Sequence, residues 1–164
     1  MPPSVDKYDR KTAAKKYLRL FYPFHYQVGS TVESALRGDQ LTQHQTVILW
    51  IIHSEGGSSM SLRRKDIESR ISAWFDVTSS AVSKALRSLA REELPLLTIT
   101  EDPRSGREKL VTLTKAGERH LQGMVNRSEH VILRIIENLS PEEIESGLHI
   151  LARISEEALA LEKA

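Results

Sequence analysis

The chain has 164 residues, 40% hydrophobic and 27% charged, with 23 Lys and Arg against 22 Asp and Glu for a formal net charge of +1. That length and composition support one cored domain, or one domain with a helical appendage, and the balanced charge excludes both a histone-like basic coat and a polyanionic disordered chain. No apolar run is long enough to span a bilayer, the N-terminal MPPSVDKYDRK lacks the apolar stretch of a secretory signal, and cysteine is absent, which removes disulfides, thiolate metal sites and cysteine nucleophiles together.

The charge is not evenly spread. Residues 1 to 60 carry 7 basic and 5 acidic groups, 61 to 109 carry 10 and 8, and 110 to 164 carry 6 and 9. A mildly basic middle and an acidic C-terminal third fit a modest nucleic-acid footprint on one part of the fold.

The segment Tyr8 to Leu36 places Phe21, Phe24, Val28, Val32, Ala35 and Leu36 at helical spacing. Pro23, which has no N–H, predicts a kink or a fresh start inside that helix, and Arg37-Gly38-Asp39 ends it. A second helix opens at Thr42, where Gln45 completes a capping box, and carries Val47, Ile48, Ile51 and Ile52 as far as Glu55. Gly56-Gly57-Ser58-Ser59 reads as a loop. Ser61 reads as the N-cap of a third helix, Leu62 to Ser72, with Ile67 and Ile71 inward and with Trp74 and Phe75 in the turn that follows.

A fourth helix, Thr78 to Glu92, has Val82, Ala85, Leu86 and Leu89 in an i, i+3, i+4, i+7 core pattern, and Pro95 stops any continuation. From Leu96 to Leu113 the period changes to two. LLTIT and KLVTL flank Asp102-Pro103-Arg104-Ser105-Gly106, a β-hairpin with a charged tip. Beyond Thr114 the chain is helical again, with Leu121, Val125, Ser128, Ile132, Ile135 and Leu139 forming a seam. Ser140-Pro141-Glu142-Glu143 then restarts a helix by capping, its inward face being Ile144, Leu148, Leu151, Ile154 and Leu161.

Two helices joined by a turn and followed by a charged hairpin make a winged helix-turn-helix, so the fold class is mainly α with a small β-hairpin wing, flanked by further helices at both ends. In that motif the second helix enters the major groove and the hairpin reaches flanking backbone or minor groove. The outward face of the fourth helix carries Ser79, Ser80, Ser83, Lys84, Arg87, Ser88 and Arg91, with no carboxylate before Glu92. Short hydroxyls allow close approach, and Lys and Arg supply charge and bidentate donors to guanine. Arg63, Arg64 and Lys65, at the start of the third helix, suit phosphate contacts.

The stretch DPRSGREKLVTLTKAGERHL, Asp102 to Leu121, resembles the wing of the multiple antibiotic resistance regulator (MarR) family and the start of its dimerisation helix. LTQHQTVILWIIHSEG from Leu41 and VTSSAVSKALRSL from Val77 support the resemblance, which covers almost the whole chain in the family's element order. It implies three parts: an N-terminal helix (1–40) that contributes to dimerisation, a winged helix-turn-helix (41–114), and C-terminal helices (115–164) that complete the dimer base. It further implies a homodimer on a pseudo-palindromic duplex, with recognition helices roughly 34 Å apart. Leu121, Val125, Ile132, Ile135, Leu148 and Leu151 are then dimer contacts, and Arg104, Arg107 and Lys109 wing contacts. A small-molecule effector pocket is expected near Tyr22, His25, Tyr26, Trp50 and His53.

Two features depart from the family pattern. Its wing usually carries Asp-x-Arg, in which the carboxylate orients the arginine, whereas this chain has Ser105-Gly106-Arg107, so Asp102 or no carboxylate holds Arg107. The recognition helix usually closes with glycine, and here Glu92-Glu93-Leu94-Pro95 follows it.

The six histidines, His25, His44, His53, His120, His130 and His149, have no HxxxH or HExxH spacing, and the nucleotide-binding and serine-hydrolase glycine motifs are absent. No metal, cofactor or enzymatic activity is expected. The expectation is a cytoplasmic DNA-binding repressor with double-stranded DNA and a second copy of itself as partners and no membrane contact. The alternative is a winged-helix module that binds protein through the same surface.

Overall fold

The structure, a computed structural model, describes residues 9–91, 93 and 95–161. Asp9 opens α1 (Arg10–Pro23), its carboxylate accepting from the backbone N–H groups of Lys11 and Thr12. Tyr8, the expected start, lies outside the described residues. Pro23 offers no N–H to the preceding turn, and the helix widens behind it: Phe24–Gly29 is π-helical before α2 (Ser30–Arg37) takes over. The expected kink is thus a change of helical pitch.

The capping box at Thr42 forms as expected. Thr42 N–H donates to Gln45 Oε1 at 2.8 Å and Gln45 N–H to Thr42 Oγ1 at 3.4 Å, opening α3 (Gln43–Glu55). Ile48, Leu49, Ile51 and Ile52 are fully buried, so α3 is apolar around most of its circumference and forms the centre of the domain.

Two expectations around the next helix are corrected. Ser61 is not an N-cap: Ser61–Arg63 is a strand, β1, whose Ser61 hydroxyl meets Thr112 Oγ1 at 2.8 Å across the sheet. Three residues are too few to display an alternating pattern, and a serine ahead of a helix carries the same signal as a cap. Helix α4 (Arg64–Trp74) therefore starts later, without a side-chain cap, and ends later, with Trp74 inside it. Phe75 takes extended backbone and turns half-buried against the core.

Thr78 opens α5 (Ser79–Arg91), its hydroxyl accepting from Ala81 N–H at 3.2 Å. The expected end at Glu92 falls outside the described residues. The hairpin is β2 (Leu97–Glu101) and β3 (Lys109–Leu113), and the antiparallel sheet has the order β1-β3-β2, with Arg63 opposite Leu110 and Glu101 opposite Lys109. Ile67 and Ile71 of α4, Val82, Leu86 and Leu89 of α5, and Val111 of β3 are all at most 1% exposed. Each such side chain contributes about 1.5 to 3 kcal/mol by leaving water. That core fixes the angle between α4, α5 and the wing.

Helix α6 (Lys115–Ile136) begins behind Thr114, whose hydroxyl accepts from Gly117 N–H at 3.0 Å and donates to Pro95 O at 2.6 Å. The chain divides into two compact units inside α6, residues up to 128 and residues from 129. In the first, Leu121 and Met124 are buried, Val125 is half-buried, and the buried Ser128 donates to Met124 O at 3.0 Å. In the second, α7 (Pro141–Leu161) carries its expected capping box: Ser140 N–H donates to Glu143 Oε2 at 2.8 Å and Glu143 N–H to Ser140 Oγ at 3.2 Å.

The face of α7 read as inward is not buried within the chain. Leu148, Leu151 and Ile154 are 66%, 51% and 46% exposed, and Ile132, Ile135 and Leu139 of the seam are exposed as well. Among the described residues no helix is long and apolar enough to cross a membrane.

Candidate nucleic-acid interface

Helix α5 separates its two faces sharply. Val82, Ala85, Leu86 and Leu89 are buried, whereas Ser79, Ser80, Lys84, Arg87, Ser88 and Arg91 are exposed and Ser83 is half-buried. Part of this polar face is already engaged. Arg64 Nη2 donates to Ser83 Oγ and to Glu68 Oε1, both at 2.8 Å, while Ser79 Oγ donates to Glu68 Oε1 at 3.2 Å. The expected DNA contacts Arg64, Ser79 and Ser83 are therefore brought together, in a network that ties α4 to the first turn of α5. From the other side Gln45 Nε2 donates to Ser88 Oγ at 3.1 Å. The side chains of Ser80, Lys84, Arg87 and Arg91 have no hydrogen bond or ion pair among the described residues.

In the wing, Asp102 is 4% exposed and acts as an internal brace. Its Oδ1 accepts from the backbone N–H of Arg104 at 2.9 Å and its Oδ2 from Arg63 Nε at 3.2 Å, while its carbonyl closes the turn by accepting from Ser105 and Gly106. Gly106 has φ +63, a left-handed position that suits glycine. Asp102 thus holds Arg63 and not Arg107. The side chains of Arg104 and Arg107 have no partner among the described residues, and Lys109 pairs with Glu101 at 3.0 Å.

The residues expected to contact phosphate all have carboxylate partners. Arg63 meets Glu108 at 3.2 Å as well as Asp102, Arg64 meets Glu68, and Lys65 meets Glu108. The sequence reading missed Glu68 and Glu108. Glu68 lies four residues after Arg64 on one helix, a spacing that announces the pair; Glu108 comes near Arg63 only because β1 pairs with β3. Among the described residues five cations on α5 and the wing have no partner: Lys84, Arg87, Arg91, Arg104 and Arg107.

A cavity of about 210 Å3 is lined by His53, Met60, Glu118, Leu121, Gln122 and Val125. Of the five candidate effector residues only His53 lines it, and its Nδ1 is buried with no hydrogen-bond partner among the described residues. Trp50 packs edge-on to His53 with ring centroids 5.7 Å apart. Tyr22, His25 and Tyr26 form an exposed ladder at the π-helical segment, with Tyr22 stacked on Tyr26 at 5.8 Å. Among the described residues no group of three or more His, Asp or Glu could hold a metal ion.

Residues 41–117, from the residue before Thr42 through the wing to the first turn of α6, match the family described as winged helix DNA-binding domain. Solved structures place that winged helix in a larger fold. A MarR family protein from Bacillus stearothermophilus superposes with a TM-score of 0.75 at 16% identity, covering 91% of this chain and 97% of that one. BpsR from Bordetella bronchiseptica, whose DNA binding is regulated by 6-hydroxynicotinic acid, gives 0.59 at 23% identity over 84% and 98%. A mutant of S. aureus MepR bound to an oligodeoxyribonucleotide gives 0.56 at 22% identity over 87% and 97%. The chain shares the fold of these solved structures, a MarR family protein among them, in line with the resemblance of the wing. Among curated proteins none matches the sequence.

Proposed function

We propose that the chain is a transcription regulator that binds a pseudo-palindromic DNA duplex as a homodimer, responds to a small-molecule effector, and acts as a cytoplasmic repressor, without enzymatic activity. The observation that carries this reading is the set of five cations on α5 and the wing that have no partner among the described residues, on a fold shared with a protein bound to an oligodeoxyribonucleotide. Phosphates attract such cations and release their counterions, so binding is salt-sensitive. Lys84 and Arg87, in the middle of α5, suit base edges, and Arg104 and Arg107 suit the flanking backbone or minor groove.

The dimer is supported by the apolar faces that one chain leaves open: Ile132, Ile135, Leu148 and Leu151 are 37 to 66% exposed. A soluble protein buries contiguous surface of this kind against a partner. The effector is supported by the cavity at His53 and by the regulation of BpsR by 6-hydroxynicotinic acid.

Selection from random duplexes followed by sequencing tests the reading. An enriched inverted repeat is the expected result, and no enriched motif refutes it. The ion-paired state of Arg63, Arg64 and Lys65 favours the alternative of a protein-binding winged helix, and the same selection decides between the two.

A further inference from the structure

Two carboxylates face Arg63 at the root of the wing, and they differ in burial. The Asp102 side chain is 6% exposed and is also spent on the backbone of the wing turn; the Glu108 side chain is 27% exposed and joins Arg63 to Lys65, whose own side chain is 58% exposed. Arg63, Lys65, Asp102 and Glu108 sum to zero charge. Both cations stand where α4 begins, beside the wing, so the fold places two positive groups there and cancels them in the same place.

We infer that Glu108 is an internal competitor for DNA phosphate: it holds Arg63 and Lys65 in ion pairs that a phosphate must displace, and so sets how tightly and how salt-dependently this wing binds. The inference rests on the DNA-binding reading above. Asp102 is the wrong group for that task, because breaking its contacts undoes the turn. Glu108 is suited to it, because a partly exposed ion pair contributes little to stability and exchanges partners at low cost. Glu108 also follows directly on Arg107, so the wing carries its cation and its competitor side by side.

The test is anisotropy titration of one fluorescent duplex with the full chain, across about 50 to 200 mM salt. Glu108→Gln keeps the side-chain shape and removes the charge. It should bind about fivefold to tenfold more tightly per subunit near 0.1 M salt, with a salt slope steeper by about one per subunit. Adding Lys65→Gln to Glu108→Gln should remove most of that gain. Glu108→Ala, checked by its thermal melt, guards against an effect peculiar to glutamine. If the parent binds and neither Glu108 variant gains affinity or slope, Glu108 is not a competitor. If the parent binds no duplex at any salt, the DNA-binding reading itself fails and this inference with it.

Discussion

Arg127 of α6 donates from Nε to the carbonyl of Ala35 at 3.0 Å, and its Nη2 reaches the carbonyl of Leu36 at 3.3 Å. A cation thereby closes the C-terminal end of α2, where unpaired carbonyls and the negative end of the helix dipole collect. Gly38 makes room for it, since a Cβ there would lie 3.2 Å from Arg127 Nη2. Gly38 also sits at φ 58, ψ −158, a region that side chains exclude.

Arg127→Met keeps the stem and loses the cap. It should lower stability by about 1 kcal/mol in a urea titration, the bonds being solvent-exposed. Gly38→Ala should cost about 1 to 3 kcal/mol through backbone strain alone. A parental midpoint for Arg127→Met would show that α2 is not held to α6 through this contact, and one for Gly38→Ala that the turn relaxes to a backbone alanine accepts.

Gly117 has a different reason to be glycine. It lies in the first turn of α6 with no unusual backbone angle, yet a Cβ there would stand 2.1 Å from the Leu96 carbonyl oxygen and 3.2 Å from Leu113 Cδ2. The obstacle is backbone held by its own bonds, because Leu96 O accepts from Thr114 N–H at 3.0 Å. Gly117→Ala should cost about 3 kcal/mol or more, because the Leu96 carbonyl cannot move aside without losing its bond from Thr114. A loss below about 1 kcal/mol on thermal denaturation would mean that α6 can shift away from Leu96.

What the sequence made legible was local. Both capping boxes, at Thr42 and at Ser140, lie within four residues and form as read. The amphipathic stripe of α5 and the hairpin followed from spacing and β-branched composition for the same reason. β1 was not legible, because Ser61 is defined by Thr112 across a sheet. Nor was the state of Arg63 and Lys65, which depends on Glu108, the residue just before β3, reaching them across the sheet. On α6 the seam selected Val125, while Met124, one position away, is the fully buried side chain. A heptad pattern describes one partner surface, and the first half of α6 packs on the winged helix instead.

Arg87 and Arg107 should differ in kind. Arg87 is exposed midway along α5, where a guanidinium can address a guanine edge, so Arg87→Ala should change the sequence selected from random duplexes and cost about 1 to 3 kcal/mol on the preferred site. Among the described residues no carboxylate orients Arg107 at the wing, so Arg107→Ala should weaken all duplexes alike and reduce the salt slope by about one per subunit. Equal binding by both variants and the parent on a selected site would show that these roles are misassigned.

The proposed dimer can be tested without touching the core. Leu148 and Leu151 are exposed within the chain, so Leu148→Glu with Leu151→Glu should leave its helicity intact. If a second copy covers this face, two carboxylates buried there cost several kcal/mol, and the variant should sediment as a monomer of 18.5 kDa. Loss of specific DNA binding should accompany that change, because one winged helix offers half of the contacts. A variant that sediments like a dimeric parent would place the interface elsewhere.

The start of α7 supplies a pH-dependent prediction. Glu142, fully exposed, is held below its ordinary value of 4.5, first by its own backbone N–H and then by the Ser140 hydroxyl. A carboxylate lowered in the folded state favours folding fully above its unfolded pKa, and the contribution fades as pH falls through the lowered value. The N-terminal turn of α7 should therefore loosen below about pH 4.5, while pH changes near neutrality leave this contribution untouched. Ser140→Ala removes the second cause and keeps the first, so the Glu142 midpoint in a carboxyl-carbon NMR titration should rise part of the way to its ordinary value. A midpoint that ignores the substitution would assign the whole shift to the backbone N–H and leave Ser140 as a cap for Glu143 alone.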